Sequence, residues 1–195
     1  PKTGKRVEFC PSLWGGKDWP PSAYNPVTGY LYIPANENLC SAFTGKKVKF
    51  RRGELYLGMD WNDIEVFPHK DAKNHIGEIQ AWDLKTGQKR WTKKFKSHNW
   101  GPILATGGGL VFSGGTNDRL FRAFDAEDGS LLWQHATNSG IVGVPVSYGI
   151  GKKQFIAVLS GWGVDAQRKQ DFLDKAFGEK THVPQGGVLW VFSLP

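Results

Sequence analysis

Ala, Asp, Gly and Trp recur in fixed register 42 residues apart: Ala81 and Ala123, Asp83 and Asp125, Gly87 and Gly129, Trp91 and Trp133. A third, shortened copy runs from Gly187 through Trp190 and Phe192 to Leu194. In each full copy an apolar strand ends at Asp, whose side chain supports a turn. Gly accepts the positive φ of that turn, and a second strand leaves carrying Trp. The spacing predicts that Trp91 and Trp133 are equivalent and buried between neighbouring units, because stacked repeats share their core through such large rings.

A second hairpin precedes each copy. Tyr24-Asn25-Pro26 turns at Thr28-Gly29 into Tyr30-Leu31-Tyr32-Ile33; Ile103-Leu104-Ala105 turns at Gly107-Gly108 into Leu110-Val111-Phe112; Val144 to Tyr148 turns at Gly149-Ile150-Gly151 into Phe155-Ile156-Ala157. Two hairpins per unit make four strands, and a period of 42 suits the blade of a β-propeller. The predicted fold is therefore all-β: about three four-stranded blades in one partial propeller domain over 1–195, with units about 11–100, 101–142 and 143–195. Insertions at 36–76 and 163–186 enlarge two of the units. The second is expected to hold one short helix with Asp165 as N-cap, Phe172, Leu173, Ala176 and Phe177 on one face, and Gly178 as its stop. Propellers close with about four to eight blades, and open sheet edges are a liability. Remaining blades are thus expected from upstream sequence or from another chain. The first residue, Pro1, is not Met, so a removed leader or a longer parent chain is expected.

Composition narrows the function classes. Apolar residues at 39% and charged residues at 22% argue against disorder. No apolar run approaches the ~18 residues of a membrane span. The net charge of +7 is dispersed, with its densest run from Lys46 to Arg52. There Lys47, Lys49 and Arg51 alternate with Val48 and Phe50, which predicts a strand with one wet face; the functional alternative is a docking patch for an acidic protein. Nucleic acid is not expected, since no binding motif accompanies the charge. Cys10 and Cys40 are not at metal-ligand spacing. They are either a reduced buried pair or a disulfide, and a disulfide requires an oxidising compartment. The acidic run Met59 to Glu65 lacks calcium-loop spacing and reads as a solvated loop.

Several strings go beyond the fold. Cys10-Pro11-Ser12, Gly15-Gly16-Lys17-Asp18-Trp19-Pro20-Pro21, Ala23-Tyr24-Asn25-Pro26, Ser139-Gly140-Ile141-Val142-Gly143, Ser160-Gly161-Trp162-Gly163 and the closing stretch from Gly186 to Pro195 fall in a particular order and spacing. Together they resemble the methanol/ethanol dehydrogenase family of quinoproteins. The resemblance implies an eight-bladed propeller that carries pyrroloquinoline quinone (PQQ) beside a calcium or lanthanide ion. It implies oxidation of a primary or secondary alcohol, with electrons passed to a cytochrome c in the periplasm. The family's metal ligands, catalytic Asp and adjacent-Cys pair would all precede Pro1, so the chain alone is expected to be inactive.

By the same resemblance, Asp18 and Trp100 are cofactor-binding positions and Trp162 is a wall of the alcohol pocket. Asp18 departs from the Asn of many relatives. An ionised Asp would repel an anionic cofactor unless a cation offsets it or its pKa rises. Blade packing is the alternative role for Trp100, and turn packing for Trp162; Lys17 is expected to face solvent. The match at Cys10, with only two Cys in the chain, leads us to expect a Cys10–Cys40 disulfide. Two rival readings remain: a non-enzymatic propeller acting as a binding or assembly scaffold, and a short chain that self-assembles into a ring.

Overall fold

In a computed structural model that describes residues 2–194, the chain is built from antiparallel sheets and one helix. Pro1 and Pro195, the ends of the expected 1–195 domain, lie outside the described residues. The strands are β1 (Arg6–Phe9), β2 (Ala23–Asn25), β3 (Tyr30–Ala35), β4 (Leu39–Thr44), β5 (Glu65–Pro68), β6 (Gly77–Asp83), β7 (Gln88–Phe95), β8 (Leu104–Ala105), β9 (Leu110–Ser113), β10 (Leu120–Asp125), β11 (Leu131–Ala136), β12 (Val146–Ile150), β13 (Lys153–Ser160) and β14 (Val188–Ser193). The helix α1 spans Gly163–Phe177. Two four-stranded sheets, β2-β3-β6-β7 and β8-β9-β10-β11, are meanders of the kind the repeat predicts. The third unit contributes three strands, β12-β13-β14, among the described residues. A further small sheet, β1-β4-β5, comes from the N-terminal segment and the first insertion.

Turn chemistry accounts for the repeat. The Asp83 carboxylate accepts from the N–H groups of Lys85 and Thr86, and Asp125 does the same for Glu127 and Asp128. Gly87 and Gly129 close these turns at φ 69° and 73°, where a side chain would be strained. Each copy also carries a register shift at one place, after Ala81 and after Ala123, which bends the outer hairpin equally in both units.

Adjacent sheets pack through two cores. Tyr30, Tyr32, Ile79, Ala81, Ile103, Val111 and Phe124 fill the first interface. Phe112, Phe121, Ile141, Ile156 and Val158 fill the second. Polar ties reinforce the first: the Tyr32 hydroxyl and the Trp91 indole N–H both donate to the Ala126 carbonyl, at 2.9 and 3.1 Å.

The two repeat tryptophans are not equivalent, which corrects the expectation from register. Trp91 is half-buried and lies flat on the turn of the next unit, where a Cβ on Gly129 would come within 2.7 Å of its ring. Trp133 is 38% exposed, touching Phe121 and Phe192 at its edges. The reason is positional. The turn of the following unit, at Gly129, lies on Trp91, whereas Trp133 is met by the rings of Phe121, His135 and Phe192. Trp91→Ala should therefore cost roughly 3 kcal/mol and Trp133→Ala about 1 kcal/mol. Urea midpoints of the two variants check this; equal losses would restore the equivalence.

Three further expectations meet the structure differently. No strand forms over Lys46–Arg52; Lys46 instead donates to Asp60 and Asp63, at 3.2 and 2.8 Å. Asp165 is not the helix N-cap: that position is Trp162, without a side-chain cap, and Asp165 sits in the first turn with its carboxylate directed to other partners. Leu173 is buried and Phe172 and Phe177 pack against the same core, as expected, but Ala176 is exposed and the buried residues also include Ala166, Lys169 and Gln170. Gly178 does end the helix, at φ 68°, donating to the Asp174 carbonyl.

Cys10 and Cys40 form a disulfide, with Cα atoms 4.4 Å apart, joining the end of β1 to β4. Replacing both by Ser releases a loop of 30 residues. The expected loss is roughly 3 to 4 kcal/mol in the chain-entropy account. Denaturant titration with and without reductant measures it; superimposable curves would show that the bond contributes nothing.

Candidate functional site

Meander topology gathers the chemistry at one end of the sheets. The tight glycine turns lie at one end, whereas the links between units (96–103 and 137–145), the β9–β10 link and the two insertions emerge at the other. Backbones there approach closely. A Cβ on Gly115 would lie 1.8 Å from the Gly101 nitrogen, and the Trp100 N–H donates to the Gly115 carbonyl at 2.7 Å. Asn36 and Asn99 exchange two hydrogen bonds, 2.8 and 2.9 Å, which fastens the first insertion to the loop that carries Trp100.

Trp100 is buried, and α1 holds it from two directions. Its indole N–H donates to the Asp165 carboxylate at 3.0 Å, and the Lys169 ammonium lies 4.5 Å over its ring. The same Asp165 oxygen accepts from the Trp19 indole at 3.3 Å, and its partner oxygen takes Arg168 at 2.7 Å. These bonds hold the Asp165 carboxyl below the usual carboxylate range, against a burial penalty that is the largest single influence on it. Trp19 meets Trp100 edge-on, with centroids 6.2 Å apart. Asp18 is half-buried, accepts from the Trp19 backbone N–H at 2.7 Å and lies 3.9 Å from the Lys169 ammonium. Lys17 is exposed, as expected.

Trp162 is fully buried and lies against the backbone of Gly140, where a Cβ would come within 2.0 Å of the ring. Any larger residue at 140 displaces it. Its indole N–H has no partner, and neither ring nitrogen of the neighbouring His98 has one. The His98 and Trp162 rings are 5.4 Å apart. Burial drives the His98 pKa down from 6.5 to about 3, with the nearby Lys169 charge acting in the same direction. His98 is thus neutral across the physiological range.

The structure therefore brings Asp18 and Trp100 together, with Trp162 joined to Trp100 through His98. Sequence reading missed Lys169, Asp165 in this role, His98 and Trp19. The available signal was polar Lys169 and Gln170 falling on the same helical stripe as Ala166 and Leu173. The cluster combines the edges of Trp19 and Trp100, an ammonium at Lys169 and an unsatisfied buried donor at Trp162; Trp100, Trp162 and Lys169 are buried within the chain, while Trp19 and Asp18 reach its surface. Among the described residues no three His, Cys, Asp or Glu side chains converge on a metal position.

Comparison with known proteins points to a family. The PQQ family model, described as the β-propeller domain of glucose/ethanol/alcohol dehydrogenases, matches residues 93–156. The chain is 37% identical over 195 residues to a quinoprotein ethanol dehydrogenase of Pseudomonas aeruginosa, covering all of this chain and 30% of that protein. It is 36% identical over 156 residues to a lanthanide-dependent methanol dehydrogenase of Methylacidiphilum fumariolicum, covering 80% of this chain and 25% of that protein. Among solved structures, a europium-containing methanol dehydrogenase superposes with a TM-score of 0.84 at 32% identity, covering 99% of this chain and 36% of that one. The chain thus spans under a third of the length of the P. aeruginosa relative.

Proposed function

This chain belongs to the PQQ β-propeller dehydrogenases, and on that premise we propose that it forms the C-terminal blades of an enzyme oxidising primary or secondary alcohols. The observation that carries the reading is the convergence of Asp18, Trp100 and Trp162 at one end of the blades, in a chain similar along its whole length to a quinoprotein ethanol dehydrogenase. In this proposal Trp100 and Asp18 bound the cofactor, and Trp162 shapes the alcohol pocket. PQQ, when bound, would accept the two electrons and the carbon-bound hydrogen of the alcohol, the hydroxyl proton passing to a base outside this segment. Asp165 and Lys169 fix the plane of Trp100 by gripping its N–H and its face. The buried sandwich of His98 and Trp162 excludes water behind the pocket.

The metal is calcium or a lanthanide, held by ligands outside this segment. The remaining blades cover the apolar side chains left exposed on the third sheet, among them Val146, Tyr148, Leu159, Leu189 and Val191. A periplasmic setting suits the Cys10–Cys40 disulfide, and there the electrons pass to a cytochrome c.

The proposal is tested in the complete protein that contains this chain. Asp18→Ala and Trp100→Ala should each lower the PQQ absorbance that survives gel filtration. Full retention in both would remove these residues from the cofactor site.

A further inference from the structure

Helix α1 buries a lysine in a position where the fold needs none. Lys169 is 9% exposed, yet its stripe otherwise packs Ala166 and Leu173 into the core with Trp14, Trp100 and Trp162. Its ammonium is sandwiched 4.5 Å from the Trp100 ring and 5.1 Å from the Trp14 ring, with Asp18 3.9 Å away. Burial pulls the Lys169 pKa down and Arg168 adds to this, while Asp165 and Asp18 oppose it. Retaining an ammonium there carries a desolvation penalty that Met or Leu would avoid. The charge is therefore matched to what it faces. Two carboxylates, Asp165 and Asp18, act on the Lys169 charge. Asp165 is satisfied by Arg168 and two indoles, which leaves Lys169 as the cation on Asp18 among the described residues.

We propose that Lys169 is a positioning residue that makes the Asp18 side of the site compatible with an anionic, carboxylate-bearing quinone. Its ammonium neutralises Asp18 and braces the face of Trp100. The inference rests on the PQQ reading above and adds α1, which lies in an insertion, to the cofactor site. It also answers the repulsion that an Asp at position 18 creates. The compensating charge arrives from a residue far along the chain.

The test is PQQ affinity of the complete apo-protein, by titration with PQQ in the presence of calcium or a lanthanide, alongside the melting temperature of each variant. Lys169→Met, which fills the same space without charge, should raise the Kd by about tenfold or more, since it leaves Asp18 facing an anion unpaired. Lys169→Arg should stay close to wild type. Adding Asp18→Asn to Lys169→Met should return the Kd to within about threefold of wild type, because the amide removes the repulsion. Should Lys169→Met not fold, Lys169→Gln serves in its place. A Kd unchanged by loss of the Lys169 charge overturns the inference. So does a defect that Asp18→Asn fails to rescue, which would mark Lys169 as packing alone. A wild-type complete protein that binds no PQQ defeats the family-based function itself, and this inference with it.

Discussion

The 195-residue chain, given PQQ and calcium or a lanthanide, should oxidise no primary or secondary alcohol, whereas the complete propeller containing it should. Two structural facts lead to this. The repeat units supply only three sheets, one of them three-stranded among the described residues, and these cannot enclose an axial cofactor. Nor do the described residues bring three metal-ligating side chains together. Dye-linked alcohol oxidation by the chain and by the complete protein decides the matter, and robust turnover by the chain alone would relocate the site. In the complete protein, Trp162→Ala should change which alcohol is preferred rather than whether PQQ is held. Its ring is fully buried against Gly140, so truncation opens volume there. A pocket change of about one methylene is worth roughly 1 to 3 kcal/mol in discrimination, so the kcat/KM ratio between a short and a long alcohol should move by about tenfold or more. An unchanged ratio would return Trp162 to a packing role.

Acid should weaken the fold through His98. The ring is fully buried, both nitrogens lack partners, and its pKa falls from 6.5 to about 3. The unfolded chain therefore binds a proton more readily than the native one, so stability is full above pH 6.5 and is lost as pH falls toward 3. At ~1.4 kcal/mol per pH unit the whole window is worth on the order of 5 kcal/mol, of which about 2 kcal/mol is gone by about pH 5. The depressed carboxyls of Asp165 and Glu78 lose stability in the same direction, but only as pH falls through the carboxylate range. The interval from about pH 6.5 to about 5 therefore separates histidine from these carboxyls, and a His98 variant separates His98 from the other four histidines. Urea midpoints at about pH 7.5 and about pH 5 should differ in wild type and converge in His98→Phe, which keeps an aromatic ring in place without a proton to bind. An equal acid loss in the variant would place the titrating group elsewhere.

What the sequence alone determined was what short stretches of chain decide for themselves. The Asp-to-Gly turns at 83–87 and 125–129, the paired hairpins and the Gly178 stop follow from side-chain capping and positive φ within a few residues. The period of 42 then implied stacked four-stranded units, and the family resemblance singled out Asp18, Trp100, Trp162 and Cys10. The tertiary structure decided what depends on partners distant in sequence. Trp91 is covered because the turn of the following unit supplies Gly129, whereas Trp133 stays 38% exposed; an identical register could not distinguish them. On α1, Phe172, Leu173 and Phe177 pack on the core as the pattern implied, but Lys169 and Gln170 were missed because amphipathic pattern treats such side chains as solvent residues. Lys169 is buried by aromatic faces and an aspartate that only folding brings near. Asp165 likewise left the helix cap for two indoles, 65 and 146 residues away. Charge compensation at Asp18 is invisible to local pattern for the same reason. Electrostatic and cation–π partners are selected by distance in space, and at this end of the blades the topology, not the chain order, sets that distance.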